Sequence, residues 1–373
     1  MQAMSPDLIA HAAELIAQSD ALIVAAGAGM GVDSGLPDFR SKEGFWKAYP
    51  ALGREQVDFY RIACPEAFRT HPARAWGFYG HRLMLYRQTE PHVGFQILKR
   101  WGQAMHHGYA VFTSNVDGQF QKAGFDQDAI DECHGSLHHL QCLQPCSNAI
   151  WEATAVQPEV DEDQSLLLNA APTCPRCGGL ARPNVLMFTD FEWLTQRQRM
   201  QAKRMENWLA GVQAPVVVEI GAGTAIPSVR EFSQRVIHEF GGRLIRINPR
   251  ESSVPTPFDV GFAAGAAETL RAIDLAIQEM ASQGAQPGCM PLTWAHDSYH
   301  WLHIAGCEID AAPGTPAATL QIPAGPPKGD ARSLKVVAKQ SEIHRVVCAM
   351  PARRSCEHCS AASRNGAQCE PKR

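Results

Sequence analysis

Short apolar runs recur along the chain, separated by longer amphipathic stretches. Ala21 to Ala26, Tyr109 to Thr113, Pro215 to Ile220 and Arg243 to Ile247 each read as a strand, and Arg182 to Phe188 returns to the same pattern. Short, near-continuous apolar runs belong to strands buried on both faces, as in a parallel sheet. Between them, Ser5-Pro6 opens a helix with a hydroxyl at its N-cap and proline at its first position. Leu8, Ala12, Leu15 and Ile16 then mark one apolar face. Residues 43–100 read as mostly helical, punctuated by Pro65 and Pro72, with Pro65 to Phe68 and Ala75 to Tyr79 on helices that bury their aromatics. Leu194 to Ala210 and Gly265 to Ala281 are further helices. This alternation predicts an α/β fold, a Rossmann-like doubly wound parallel sheet. Most polar motifs sit just after a strand, so they should converge at the sheet's carboxyl edge in one composite site.

A main domain over residues 1–281 accounts for these elements, with a helical insert at 43–100 and a cysteine-bearing module at 134–190. Between Cys146 and Cys174 the acidic, polar stretch at 159–164 reads as a solvated loop. From Ser282 the composition changes to glycines, prolines and scattered aromatics. Strand-like pieces at Ala318–Pro323, Leu334–Ala338 and Ile343–Met350 leave two readings of 282–373 open, a small β-rich module or a partly ordered tail that a partner could engage.

The stretch Gly27-Ala28-Gly29-Met30-Gly31-Val32-Asp33-Ser34-Gly35 follows the first strand directly. A glycine-rich turn there lets backbone N–H groups approach a pyrophosphate without Cβ interference. It is not the hydride-transfer fingerprint, because Val32 stands where the third glycine would fall, and no Gly-Lys-Ser/Thr follows as in a P-loop. The plainer alternative is a tight strand–helix turn without a ligand. Pro37-Asp38-Phe39-Arg40 adds an acid, an aromatic and an arginine on a proline-stiffened loop, which offers a lid as well as a turn. A second glycine turn, Gly221-Ala222-Gly223-Thr224, closes the strand Pro215 to Ile220.

Composition narrows the classes. With 373 residues, 45% hydrophobic and 19% charged, the chain is an ordinary globular protein able to bury a large core. A net charge of −4 gives no global attraction to nucleic acid or an anionic membrane, and no apolar run is long enough to span a bilayer. Met1 to Ala17 lacks a basic n-region and carries acids, which argues against a signal peptide and for the cytoplasm. Twelve cysteines in that compartment suggest metal, chemistry or spare thiols before disulfides. Cys142 and Cys146, then Cys174 and Cys177, form two pairs flanking a long loop, and four thiolates can hold Zn²⁺ tetrahedrally and knit such a loop together. An all-cysteine site is structural, leaving no open position for catalysis.

Gly27 to Arg40 resembles the signature loop of the sirtuins, NAD-consuming protein-lysine deacylases, whose pattern runs Gly-Ala-Gly-x-Ser-x-x-Ser-Gly-Ile-Pro-Asp-Phe-Arg. Ser114-Asn115-Val116-Asp117, His134-Gly135, the four cysteines and the second glycine turn follow in family order. The resemblance implies NAD as co-substrate, a structural zinc and an acylated protein lysine as substrate. It makes His134 the general base, a role for which an imidazole near neutral pKa is suited. It assigns Asn115 to ordering the ribose and a water, and Asp117 to receiving the nicotinamide amide. Gly27, Ala28, Gly29, Asp38, Phe39, Arg40 and Ser114 would complete that side of the NAD site, and Phe188 would line the acyl channel. Gly221, Gly223 and Thr224 would bind phosphates, with Asn248 and Arg250 on the adenosine side.

Four departures stand out: Gly31 for the loop serine, Ser114 for the glutamine of Thr-Gln-Asn-Ile-Asp, Ala222-Gly223 for Thr-Ser, and Thr189-Asp190 for Gly-Glu. Tyr79 and Arg82 lie at i and i+3 of an expected helix, where they either display an arginine to water or clamp a carboxylate. Their spacing after Trp76-Gly77-Phe78 resembles the sirtuins that remove succinyl and malonyl groups. Two other classes compete with the deacylase, an NAD hydrolase or mono-ADP-ribosyltransferase, and a non-catalytic NAD sensor.

Overall fold

The computed structural model describes residues 4–37 and 42–283, together with four strand segments further along. Two compact units divide the chain, Met1–Gln278 and Glu279–Arg373. In the second, Met290–Leu292 pairs antiparallel with Val346–Cys348, and His303–Ala305 with Ser333–Lys335. The expected strand at Ala318–Pro323 lies outside the described residues, as do Asp38, Phe39 and Arg40.

In the first unit the strands are β1 (Ala21–Ala26), β2 (Tyr109–Thr113), β3 (Ile130–Glu132), β4 (Gly135–Cys142), β5 (Ile150–Glu152), β6 (Val160–Asp161), β7 (Leu166–Leu167), β8 (Ala181–Val185), β9 (Pro215–Ile220), β10 (Arg243–Ile247) and β11 (Val260–Phe262). Six of them form one all-parallel sheet in the order β11-β10-β9-β1-β2-β3. Every residue of β1 and β9 is buried, as their apolar runs require. Alternation sends Leu22, Val24 and Ala26 into a core shared with the helices Pro6–Ala17, Val93–Ala104 and Ala266–Gln283. Ile23 and Ala25 face the helices Gln196–Leu209 and Ser228–Phe240 on the other side. The strand order reverses between β1 and β9, and the crevice outside such a switch point is where α/β sheets bind ligands.

Glu219, an acid in the middle of an apolar strand, is accommodated by register. It lies opposite Arg246 of β10, and both are buried, with Arg246 Nε 2.6 Å from Glu219 Oε1. Prolines open the helices Pro6–Ala17, Pro50–Arg54, Pro65–Thr70 and Pro72–Gln88, where the missing N–H costs nothing.

The helical segment and the cysteine-bearing module share a third core. Phe45, Phe68, Trp76, Phe78 and Tyr79 pack with Leu137, Leu140 and Ala181 of the antiparallel sheet β5-β4-β8. Trp76 Nε1 donates to the Ala181 carbonyl at 2.9 Å. The stretch 159–164, expected to be a solvated loop, is exposed over 162–164 and forms the outer part of the hairpin β6–β7. Its Ser165 is buried against the helix Pro72–Gln88, where a Cβ on Gly77 would lie 2.2 Å from the Ser165 carbonyl. Backbone packing, invisible in a polar composition, decides that segment.

Candidate active site

The two glycine turns meet. A Cβ on Gly29 would stand 2.6 Å from Gly221 Cα, and one on Gly221 would stand 2.3 Å from Gly29 Cα. Gly29 N donates to the Gly221 carbonyl at 3.1 Å, and Gly221 takes a left-handed φ of 58° that favours glycine. Side chains at these positions would separate the turns, so the absence of Cβ atoms is what brings bare backbone to the switch point. That arrangement fits a dinucleotide pyrophosphate. Ala28 begins a short 3₁₀ helix of seven residues, Ala28–Ser34.

Neighbouring strand ends tie into the same edge. Asn115 Nδ2 donates to the Gly27 carbonyl at 3.0 Å, which links the end of β2 to the first turn. Asn248 Nδ2 donates to the Ala222 carbonyl at 2.8 Å, and its Oδ1 accepts the Arg250 and Glu251 amides. Gly223 is half-buried, while Thr224 directs its hydroxyl at Glu251 Oε1, 2.8 Å away.

His134 is half-buried, with Nε2 3.3 Å from Ser228 Oγ. Burial holds its pKa below the usual imidazole value, opposed by a hydrogen bond to the Ser114 carbonyl. A largely neutral ring is the form able to accept a proton. Asp117 is buried, and burial raises its carboxyl to about 6 against the stabilising Gln119 amide, which donates to Oδ1 at 2.9 Å. A cavity of about 490 Å³ is lined by Asp117, Ser136, His138 and Tyr86.

On the helix Pro72–Gln88, both Tyr79 and Arg82 are buried. Arg82 donates from Nε and Nη2 to the Tyr86 hydroxyl, at 3.0 and 2.7 Å. Its guanidinium lies 5.3 Å from the Phe78 ring centre, 5.4 Å from Tyr86 and 5.9 Å from Tyr79. Tyr79 stacks on Phe68, and burial raises its hydroxyl pKa. This arginine is therefore not displayed to water. Phe188 is partly exposed beyond the end of β8, with its ring 5.7 Å from that of Phe59.

Cys142, Cys146, Cys174 and Cys177 bring their sulfurs within 4.8 Å of one another, with Cys142–Cys177 and Cys146–Cys174 both at 3.7 Å. Zinc–thiolate bonds of about 2.3 Å at tetrahedral angles place sulfurs about 3.8 Å apart, so the cluster fits Zn²⁺. Gly178, at a positive φ of 71°, closes the turn through its N–H to the Cys174 carbonyl.

The Sir2 family profile matches residues 27–219, which span the first glycine turn, Asn115, His134 and all four cysteines. This chain belongs to the Sir2 family. It is 30% identical over 266 residues to the NAD-dependent protein deacylase of Thermococcus kodakarensis, covering 70% of this chain and 93% of that protein. The NAD-dependent protein deacylase of Aquifex aeolicus is 28% identical over 252 residues, covering 68% and 93%. A solved Sir2 homolog–NAD complex shares the fold with a TM-score of 0.52 at 23% identity, over 74% of this chain and 95% of that one.

Two departures from the sirtuin pattern bear on the local structure. A Cβ on Gly31 would fall 2.9 Å from Leu36 Cδ1, so a serine there would press on Leu36. At Thr189 the backbone takes a φ of 52°, and the following Asp190 makes a bidentate, fully buried pair with Arg182 at 2.7 and 2.8 Å. Sequence reasoning missed that pair, and also missed Ser228 beside His134. A charged residue inside an apolar strand, as Arg182 is, was the available signal for the pair. For Ser228 the sequence carried none.

Proposed function

We propose that this sirtuin is an NAD-dependent protein-lysine deacylase whose acyl pocket favours groups ending in a carboxylate. The observation that carries the first part is the meeting of Gly29, Gly221, Asn115 and the His134 region at one sheet edge, at the switch point of the strand order. NAD, when bound, would supply a ribose carbon whose bond to nicotinamide is exchanged for one to the acyl oxygen and a ribose hydroxyl that adds to the acyl carbon, and one water consumed as the acyl–lysine bond breaks gives nicotinamide, free lysine and O-acyl-ADP-ribose. The glycine turns bind the phosphates, with Asn248 and Arg250 beside the adenosine. Asn115 orients the ribose, Asp117 receives the carboxamide, and His134 Nε2 takes the ribose hydroxyl proton. The zinc centre stabilises its module and takes no part in the chemistry. Cys64 and Cys133, which are not in disulfides, suit a reducing compartment, and we place the protein in the cytoplasm.

The acyl preference follows from Tyr79 and Arg82. A guanidinium set among aromatic rings, with a phenol one helical turn away, is largely desolvated and meets a carboxylate at little further cost. A charge-assisted pair is worth about ten- to a hundredfold in specificity. Mass-resolved products from NAD with succinyl-, malonyl- and acetyl-lysine versions of one peptide test both parts. Free ADP-ribose without acyl transfer would replace the deacylase with an NAD hydrolase. Equal kcat/KM for succinyl and acetyl peptides, or an unchanged ratio in Arg82→Met, would remove the carboxylate reading alone.

A further inference from the structure

His92 precedes the helix Val93–Ala104 and directs its polar groups at two different elements. Its main-chain N–H donates to Ser34 Oγ at 2.9 Å, its Nε2 lies 3.0 Å from the Met30 carbonyl, and the Gly94 amide lies 3.0 Å from its Nδ1. Met30 and Ser34 both belong to the short 3₁₀ helix Ala28–Ser34 of the first glycine turn. The partners determine the tautomer. A carbonyl only accepts, so Nε2 carries the proton; an amide N–H only donates, so Nδ1 is bare. All three contacts are made together only by a neutral ring.

Neighbouring residues leave space for this ring and little else. A Cβ on Gly94 would lie 2.5 Å from His92 Cε1 and 2.7 Å from Leu270 Cδ1, so glycine lets the imidazole fold back over its own helix. The edge of Phe95 packs on it with ring centres 5.0 Å apart. Capping alone needs only one side-chain acceptor, which asparagine, aspartate or serine supplies. The second arm, from Nε2 to Met30, serves the glycine turn and not the helix.

We propose that neutral His92 is a positioning residue that locks the Ala28–Ser34 turn in its NAD-binding geometry and releases the turn when protonated. This rests on reading Gly27–Ser34 as the NAD cradle. Protonation leaves the Nε2–H to Met30 bond favourable in itself but turns Nδ1 into a donor facing the Gly94 donor, and the ring relieves that repulsion by turning off Gly94, which carries Nε2 away from Met30. Burial already lowers this imidazole's pKa, with the Met30 carbonyl and Asp33 opposing that effect and Arg271 adding to it. Asp33 sits on the turn itself, where its carboxylate accepts the Ala267 amide at 2.7 Å. Arg271 comes from the helix Ala266–Gln283. Because the locked state binds fewer protons, NAD affinity is full above the ordinary imidazole value and falls as pH drops below it.

The test uses the full-length, zinc-loaded protein and His92→Asn, which keeps an acceptor for the Gly94 amide but is too short to reach Met30. KM for NAD and kcat are measured from about pH 5.5 to about 8, the range in which an imidazole titrates. Amide-exchange protection of residues 30–34 is measured across the same range without NAD. At the alkaline end the variant should show a KM for NAD about two- to tenfold above the parent, the effect of one lost hydrogen bond, falling on KM and not on kcat. The parent's KM should climb toward the variant's on acidification while the variant's stays flatter, and protection of the turn should follow the same course. Unchanged KM together with unchanged protection would overturn the role of His92. Lost protection with an unmoved KM would overturn it too, and would show in addition that the turn is not the NAD cradle. Should the variant not fold, the parent's own protection across pH decides, and a flat profile rejects the proposal.

Discussion

Asp117 is held at the site against its own solvation, and replacing it with asparagine separates function from stability. Burial raises its carboxyl from 3.8 to about 6, and the residue is 8% exposed. That difference corresponds to about 3 kcal/mol favouring the protonated form in the folded protein. The sign follows from linkage: a folded pKa above the unfolded one gives stability that is fully present below the unfolded value and is lost as pH rises through about 6. At neutral pH the parent therefore carries a buried, poorly solvated charge. Asp117→Asn removes the charge, and its carbonyl can still accept the Gln119 amide. Allowing for the cost of burying an amide, the variant should be about 1–3 kcal/mol more stable than the parent at pH near 7.5. Its gain should shrink as pH falls to about 5, where the parent's carboxyl is protonated. Deacylase activity should meanwhile collapse. Urea titrations of both proteins at the two pH values, with zinc present, measure the difference. A variant that is no more stable at neutral pH, or whose advantage is independent of pH, would refute the reasoning.

Cys174→Ser should lower bound zinc from one equivalent per chain and unfold the module around β4, β5 and β8, read by metal analysis and protease sensitivity, because a structural site contributes folding energy directly. His134→Ala should lose on the order of 10² to 10⁴ in kcat while NAD binding persists, and near-parent acyl removal would exclude it as the base. Asp190→Ala should destabilise by about 3–5 kcal/mol, since it strands the buried Arg182 guanidinium, and denaturant midpoints would register the loss.

Much of this architecture is local, and so it could be read along the chain. Apolar runs of strand length, helices opened by Pro6, Pro65 and Pro72, and polar residues placed just after strands specify a parallel α/β sheet with its site at the carboxyl edge. The two pairs of cysteines specify a metal site in the same way, since ligand chemistry depends on residue type and spacing. What the sequence could not determine depends on which distant residues touch. The sheet order placed β9 beside β1, and only then did Gly29 meet Gly221. Sequence left Arg82 open between water and a pocket; packing among Phe78, Tyr79 and Tyr86 decided for burial. Beyond the exposed residues 162–164, the Ser165 backbone packs closely against Gly77, a contact the polar composition did not show. His92 gave no signal as an active-site residue, because its reach to Met30 exists only once two separate elements pack together. Residue types and periodicity act over a few positions and survive in the linear order, whereas burial, desolvation and hydrogen bonding between distant segments come into being only with the packed chain.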